Sequence, residues 1–109
     1  FDTTVRIDLG ADFDLIDVGF EYYFFRQTSI NIVNRDLRLL DSSNNLIAQL
    51  QTSANTGIQN SWTNFGGSLS ANAIRYIDCR MALSLTPPSP TPSNTMAWID
   101  NVTFTKILT

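Results

Sequence analysis

The sequence predicts an all-β fold, a two-layer antiparallel β-sandwich, and three observations carry that prediction. Apolar residues recur at every second position in several separate runs, which is the period of a pleated strand with one buried face. Clusters of Ser, Asn, Thr, Gly and Pro punctuate those runs as turns do. No stretch of any weight repeats its apolar residues at helical spacing. Seven or so strands in 109 residues match a sandwich, and a chain of that length buries one core, so residues 1–109 form one domain.

Taken in order, Val5, Ile7 and Leu9 alternate with Arg6, Asp8 and Gly10 and predict a short first strand. The strongest strand begins at Leu15, where Ile16, Val18, Phe20, Tyr22 and Phe24 alternate with Asp17, Gly19, Glu21, Tyr23 and Phe25. The first set is expected to face the core. Residues 37–41 and 46–51 flank Ser42-Ser43-Asn44-Asn45, where asparagine tolerates positive φ, and predict a hairpin. Residues 51–72 are rich in Ser, Thr, Asn and Gly, with Ile58, Trp62, Phe65 and Leu69 as isolated anchors for a loop and one short strand. Ile77, Cys79, Met81, Leu83 and Leu85 then alternate with Tyr76, Asp78, Arg80, Ala82 and Ser84, and this run shares the same core. It stops at Thr86-Pro87-Pro88, because proline withdraws a ladder donor, and residues 86–94 read as an extended surface connection. In residues 96–107 the apolar positions Trp98, Ile99, Val102, Phe104 and Ile107 do not keep one phase. A bulge at Asp100-Asn101 would put Ile99, Val102 and Phe104 on one face, with Trp98 in or beside the core.

The composition narrows the function classes. With 43% hydrophobic and 16% charged residues the chain is expected to fold and stay soluble. Its longest uncharged apolar run, residues 22–25, is far short of the roughly 20 a bilayer requires. No basic segment followed by an apolar one opens the chain, so any export signal is expected to have been removed or never to have existed. A net charge of -3, with basic residues scattered singly, speaks against nucleic acid. Cys79 stands alone, forms no internal disulfide, and reads as a small buried hydrophobe. The absence of histidine removes the commonest general base near neutral pH and the commonest transition-metal ligand. Gly66-Gly67 suits a turn more than a phosphate loop, and Asp78 with Glu21 or Asp100 reads as solvated acids more than as a glycosidase pair. A non-catalytic protein is expected.

The end of the chain resembles a known group. Trp98-Ile99-Asp100-Asn101-Val102-Thr103-Phe104 looks like the closing strand of galactose-binding-like β-jelly-rolls, a group that includes many bacterial carbohydrate-binding modules. Asn60-Ser61-Trp62-Thr63-Asn64-Phe65, then Gly-Gly-Ser-Leu and Ala73-Ile74-Arg75-Tyr76-Ile77, is similar to their tryptophan-bearing strand, turn and long strand. Leu37-Arg38-Leu39-Leu40-Asp41, a turn and Leu46-Ile47-Ala48 look like their central hairpin. The resemblance covers residues 15–107 and lacks the group's usual N-terminal lead-in strand. It implies a jelly-roll and glycan binding on a concave sheet face or at loop tips, while the strand count by itself leaves an immunoglobulin-like sandwich as the alternative.

The residues themselves supply candidates for such binding. Glu21 and Tyr23 project together, Tyr76, Asp78 and Arg80 share one side of their strand, and the two sets form one patch if the strands are neighbours. An aromatic ring stacks on the apolar face of a sugar while carboxylate and guanidinium groups take its hydroxyls. Trp62 is a further stacking platform at a loop tip. Asp100 and Asn101 are the expected oxygen ligands of a structural calcium, with Asp8, Asp12, Asp14 and Asp17 as a weaker set that lacks an EF-hand's glycine and glutamate. The expectation is a non-catalytic extracellular or cell-surface module that binds a glycan or polysaccharide. The competing class is a structural or adhesive subunit of an extracellular filament, appendage or capsid, self-assembling through an exposed sheet edge.

Overall fold

A computed structural model describes residues 2–25, 31–55, 62–85 and 96–107. They form β1 (Asp2–Phe25), β2 (Asn31–Leu40), β3 (Leu46–Asn55), β4 (Trp62–Leu85) and β5 (Met96–Ile107). All pair antiparallel in one sheet of order β3-β2-β4-β1-β5. Fewer strands appear than the alternation predicts, because β1 and β4, at 24 residues each, run through positions where the alternation breaks. On β1 these are Gly10 (φ 79°) and Asp17 (φ 58°), and on β4 Gly66, Gly67 and Ala73, all left-handed. The β1–β4 register shifts repeatedly between Asp8 and Gly19, yet ladder pairs resume on both sides. Such bulges insert residues without ending a strand. The part of the expected loop from Trp62 onward therefore belongs to β4.

The long strands bend. Straight, each would span roughly 80 Å at about 3.3 Å per residue, whereas the longest extent of the molecule is 51 Å. The first part of β1 pairs with the last part of β4, from Asp2↔Ala82 to Asp8↔Tyr76, and the last part of β1 pairs with the first part of β4, from Val18↔Leu69 to Tyr23↔Trp62. Strand β2 joins β4 only beyond the bend, from Tyr76 to Leu85, and β5 joins β1 only from Asp14 to Phe25. The halves then face each other. A Cβ on Gly66 would lie 3.0 Å from Leu37 Cδ2, and Arg35 Nη1 donates to the Tyr22 hydroxyl at 2.9 Å, although neither pair are ladder neighbours. The fold is thus an antiparallel β-sandwich whose two layers are one sheet turned back on itself.

Between the layers lie Leu15, Val18, Phe20 and Tyr22 of β1, Leu37 and Leu39 of β2, and Phe65, Ile74, Ile77, Cys79 and Met81 of β4. The expected phase holds for Val18, Phe20, Tyr22, Ile77, Cys79 and Met81, and the Phe20 and Phe65 rings meet at 5.3 Å. It fails at Ile16, which is only half-buried while Leu15 is 1% exposed. Left-handed Asp17 and the register shift between Leu15 and Val18 move the inward position by one. The side chains of Phe24, Leu83 and Leu85, and Ile58 with residues 86–94, lie outside the described residues.

The two local predictions with a named mechanism hold. Asn44 takes φ 63° in the β2–β3 turn, its N–H donates to the Asp41 carbonyl at 3.0 Å, and Asp41 Oδ1 accepts the N–H groups of Ser43 and Asn45 at 2.9 Å. In β5, Gly19↔Thr103 is followed by Glu21↔Asp100, so a step of two on β1 meets a step of three, with Asn101 left-handed at φ 49°. Ile99, Val102 and Phe104 consequently all pack on the core.

Candidate functional site

The outer face of the β4–β1–β5 half carries the most site-like group of side chains. Because Tyr22 points inward, its neighbour Tyr23 points out, and the register sets Tyr23 opposite both Trp62 of β4 and Trp98 of β5. The three rings form one row across three strands. Tyr23 meets Trp62 at 5.8 Å with a tilt of 58° and Trp98 edge-on at 5.1 Å, distances at which aromatic pairs attract. The two tryptophans remain 49% and 44% exposed. Trp98 is therefore an outer-face residue and not core. Turning Ile99 inward obliges the residue before it to face out.

The next row is polar. Glu21 lies opposite Asn64 on β4 and Asp100 on β5, Asn101 Nδ2 donates to Glu21 Oε2 at 3.1 Å, and Asp100 Oδ1 accepts the Asn101 N–H at 2.8 Å. Beyond it Gly19 pairs with Gly66 and Thr103, and the missing side chains leave a cleft of about 220 Å³ whose lining includes Gly19, Glu21, Asn64, Gly66, Asn101 and Thr103. Glycine is required at this floor. A Cβ on Gly19 would stand 2.7 Å from Gly67 N and 2.9 Å from the Phe65 carbonyl oxygen, both backbone atoms that cannot swing away.

Of the sequence-predicted binding residues, Glu21, Tyr23 and Trp62 come together here, and Tyr76, Asp78 and Arg80 do not. Strands β1 and β4 are indeed neighbours, but their antiparallel register sets Tyr76, Asp78 and Arg80 opposite Asp8, Arg6 and Thr4, on the other side of the bend. The single patch expected from the sequence is therefore two. Asp78 is 8% exposed and is gripped by Arg6, whose Nε and Nη2 donate to its two oxygens at 2.7 and 2.9 Å. Arg6 also lies over the Tyr76 ring at 4.7 Å, Arg75 lies over the same ring at 5.6 Å, and Arg75 binds Asp8 at 2.6 Å. Arg80 stands opposite Asp36, a buried carboxylate that accepts from Gln49 Nε2 at 2.8 Å. These side chains tie strands to one another. The pairs raise the Arg6 and Arg75 guanidinium pKa above the usual value and, with the Gly10 N–H also donating to it, hold the Asp8 carboxyl below its own.

Sequence reasoning missed Trp98, Asn64 and Thr103. The bulge supplied the signal for the first, since it fixes the parity of residue 98 as well as that of Ile99. Nothing in the sequence marks the other two.

At the residues expected to hold calcium, Asp100 Oδ1 accepts the Asn101 N–H and Asn101 Nδ2 donates to Glu21 Oε2, while calcium takes six to eight oxygens. Among the described residues no group of three or more His, Cys, Asp or Glu side chains gathers in metal-binding geometry. In the acidic set near the N-terminus, Asp8 accepts from Gly10 and Arg75, and Asp14 accepts the Ala73 N–H at 2.9 Å. These carboxylates brace the bend. The Cys79 thiol is buried in the core, and burial, with Asp78 beside it, pushes its pKa up to about 12, so it remains protonated and inert at neutral pH.

Neither a family model nor a curated protein matches the sequence. Solved structures do match the fold. The structure of an infectious bursal disease virus VP2 subviral particle is similar over 91% of this chain with a TM-score of 0.57 and 11% identity. The Gx strain of that virus gives a TM-score of 0.52 at 16% identity, and T=1 particles derived from the virus give 0.54 at 16%, each again over 91% of this chain. The matched region is 28%, 26% and 27% of those chains, so this chain spans about a quarter of their length. At such identities the likeness is one of fold, and it places the chain in the jelly-roll class of β-sandwich.

Proposed function

We propose that this domain is a structural unit of an extracellular protein assembly, of the kind a virus particle represents. The observation that carries the reading is the fold likeness over 91% of the chain to proteins solved as virus or subviral particles. The architecture suits that role. A subunit that packs against neighbours must keep its shape under lateral contact, and here β1 and β4 run through both layers, so neither layer can shift without the other. The exposed Trp62 and Trp98 and the two sheet edges offer contact surface of the type enriched at protein interfaces. Electron microscopy and light scattering of the purified chain test the reading. Rings, shells or defined oligomers are expected, and a monomer at every concentration would overturn it.

One observation favours a second reading, binding of a neutral or weakly charged glycan. The row of Tyr23, Trp62 and Trp98 adjoins the polar cleft of Glu21, Asn64 and Asn101, which joins a stacking platform to hydroxyl-binding groups. Tyr76, Asp78 and Arg80 have no part in it. A shallow site of this area corresponds to dissociation constants of roughly micromolar to millimolar. Glycan-array binding lost in Trp62→Ala and Trp98→Ala would support this reading, and binding that survives both together with Tyr23→Ala would remove it.

A further inference from the structure

We propose that β3 is the edge through which two copies of this chain join, strand to strand and antiparallel, so that their sheets become continuous. The inference rests on the assembly reading above and adds to it the element and the partner.

Among the described residues the sheet has two edges, β3 and β5, and they are built differently. A free edge offers unpaired N–H and C=O groups to any other strand, and proteins that remain alone blunt it with charge, proline or a bulge. Strand β5 is blunted. It carries Asp100 and Lys106, its register against β1 shifts twice, and Asn101 adopts φ 49°. Strand β3 has no charge to blunt it, and its one register shift lies at its very start, between Leu39↔Ala48 and Leu40↔Leu46. It reads Leu-Ile-Ala-Gln-Leu-Gln-Thr-Ser-Ala-Asn, with no charge, no proline and no glycine, while every other strand has at least two charged residues. Its ladder with β2 is unbroken from Ile32↔Asn55 to Leu39↔Ala48, so the free side is a regular row as well. Leu46 and Ile47 at its start are exposed although apolar.

The charge pattern points to a second copy as the occupant. Two molecules of net charge -3 repel overall, and β3, which has no charged residue, is the strip along which they approach without setting like charges together. Pairing β3 with β5 of another copy would set an uncharged strand against a bulged, charged one and would continue head to tail into a ring or an open filament. Pairing β3 with β3 closes as a two-fold dimer, because the same patch serves on both sides. A two-fold axis normal to the sheet keeps inner face with inner face. Ala48 and Leu50, which pack on the core of one copy, then extend the apolar layer toward the same residues of the other.

Sedimentation velocity of the whole chain over a range of concentrations reads this directly. A monomer–dimer equilibrium is expected, and Ile47→Lys with Gln51→Lys, both at exposed positions of β3, should weaken it at least tenfold by placing like charges across the two-fold. At concentrations where the unaltered chain is monomeric, their thermal melts should match it. Thr105→Lys with Ile107→Lys, at exposed positions on β5, should leave association unchanged. Amide exchange of the unaltered chain gives an independent reading, in which the β3 amides slow as concentration rises. A dimer that ignores the β3 lysines or falls apart with the β5 lysines overturns the proposal. Particles that survive the β3 lysines overturn it too, yet retain the assembly reading; a chain monomeric throughout overturns both.

Discussion

Ala73 holds φ 56°, a left-handed conformation it shares with Asp17, Asn44 and Asn101. The other three have short polar side chains that tolerate this region, whereas an alanine there costs about 1–2 kcal/mol. Its N–H donates to Asp14 Oδ1 at 2.9 Å, and that bond helps hold the bend. Ala73→Gly should therefore stabilise the fold, by about 0.5–1 kcal/mol once glycine's greater freedom in the unfolded chain is subtracted. The readout is a denaturant midpoint that rises at unchanged slope. Phe20→Ala should act the opposite way, costing about 3–5 kcal/mol through lost burial and a cavity against Phe65, and a loss below about 1 kcal/mol in the same titration would contradict the packing described. At this scale the sequence was informative where residue type implies geometry. The Asn44 turn was legible for that reason, and the Asn101 bulge because Ile99 and Val102 fall out of phase. Ala73 was not, since alanine gives no sign of being left-handed.

Among the elements, the β2–β3 hairpin depends on one carboxylate. The N–H and side-chain amide of Asn45, with the Ser43 N–H, donate to Asp41 and hold its carboxyl below its usual 3.8. A depressed folded pKa contributes stability that is present above about 3.8 and is lost as pH falls through the folded value. Thermal melts of the unaltered chain should decline on acidification through this range, and Asp41→Ala should start from a lower melting temperature with a shallower decline. The exposure of the turn keeps the effect small. The long strands were the least legible elements, because the alternation lapses between Leu9 and Leu15 and reads as a break between strands, and the Ser-, Asn- and Gly-rich first half of β4 looks like a loop. Pairing register cannot be read from one strand, which is why Tyr76, Asp78 and Arg80 were grouped with Glu21 and Tyr23. The partners that separate them, Arg6 and Asp8, lie about 70 positions away in the chain.

For the whole molecule, Cys79 reports on the integrity of the core. Its pKa is pushed to about 12 from an ordinary 9.0, so between those values the folded chain keeps a proton that the unfolded chain releases. A raised folded pKa contributes stability that is complete below about pH 9 and is lost as pH rises toward 12. The denaturant midpoint should fall over that range, and Cys79→Ala, less stable at neutral pH, should fall less steeply. At neutral pH a thiol reagent should modify Cys79 only at the rate at which the layers part. That rate is expected to be shared by the whole sheet, because pairs such as Asp2↔Ala82 and Phe25↔Met96 join distant parts of the chain into one ladder.

The contact at Gly19 also acts as a key against misalignment. A β-strand that slips against its neighbour by one residue turns every apolar side chain outward, so the dangerous error is a slip of two, which preserves the faces. Such a slip along β1 would bring Asp17 or Glu21 to the place where Gly19 now lies, and with either of them a Cβ at 2.7 Å from Gly67 N and 2.9 Å from the Phe65 carbonyl oxygen. The long alternating run of β1, which by its pattern alone tolerates several alignments, is thereby restricted to one by the room for a single missing carbon.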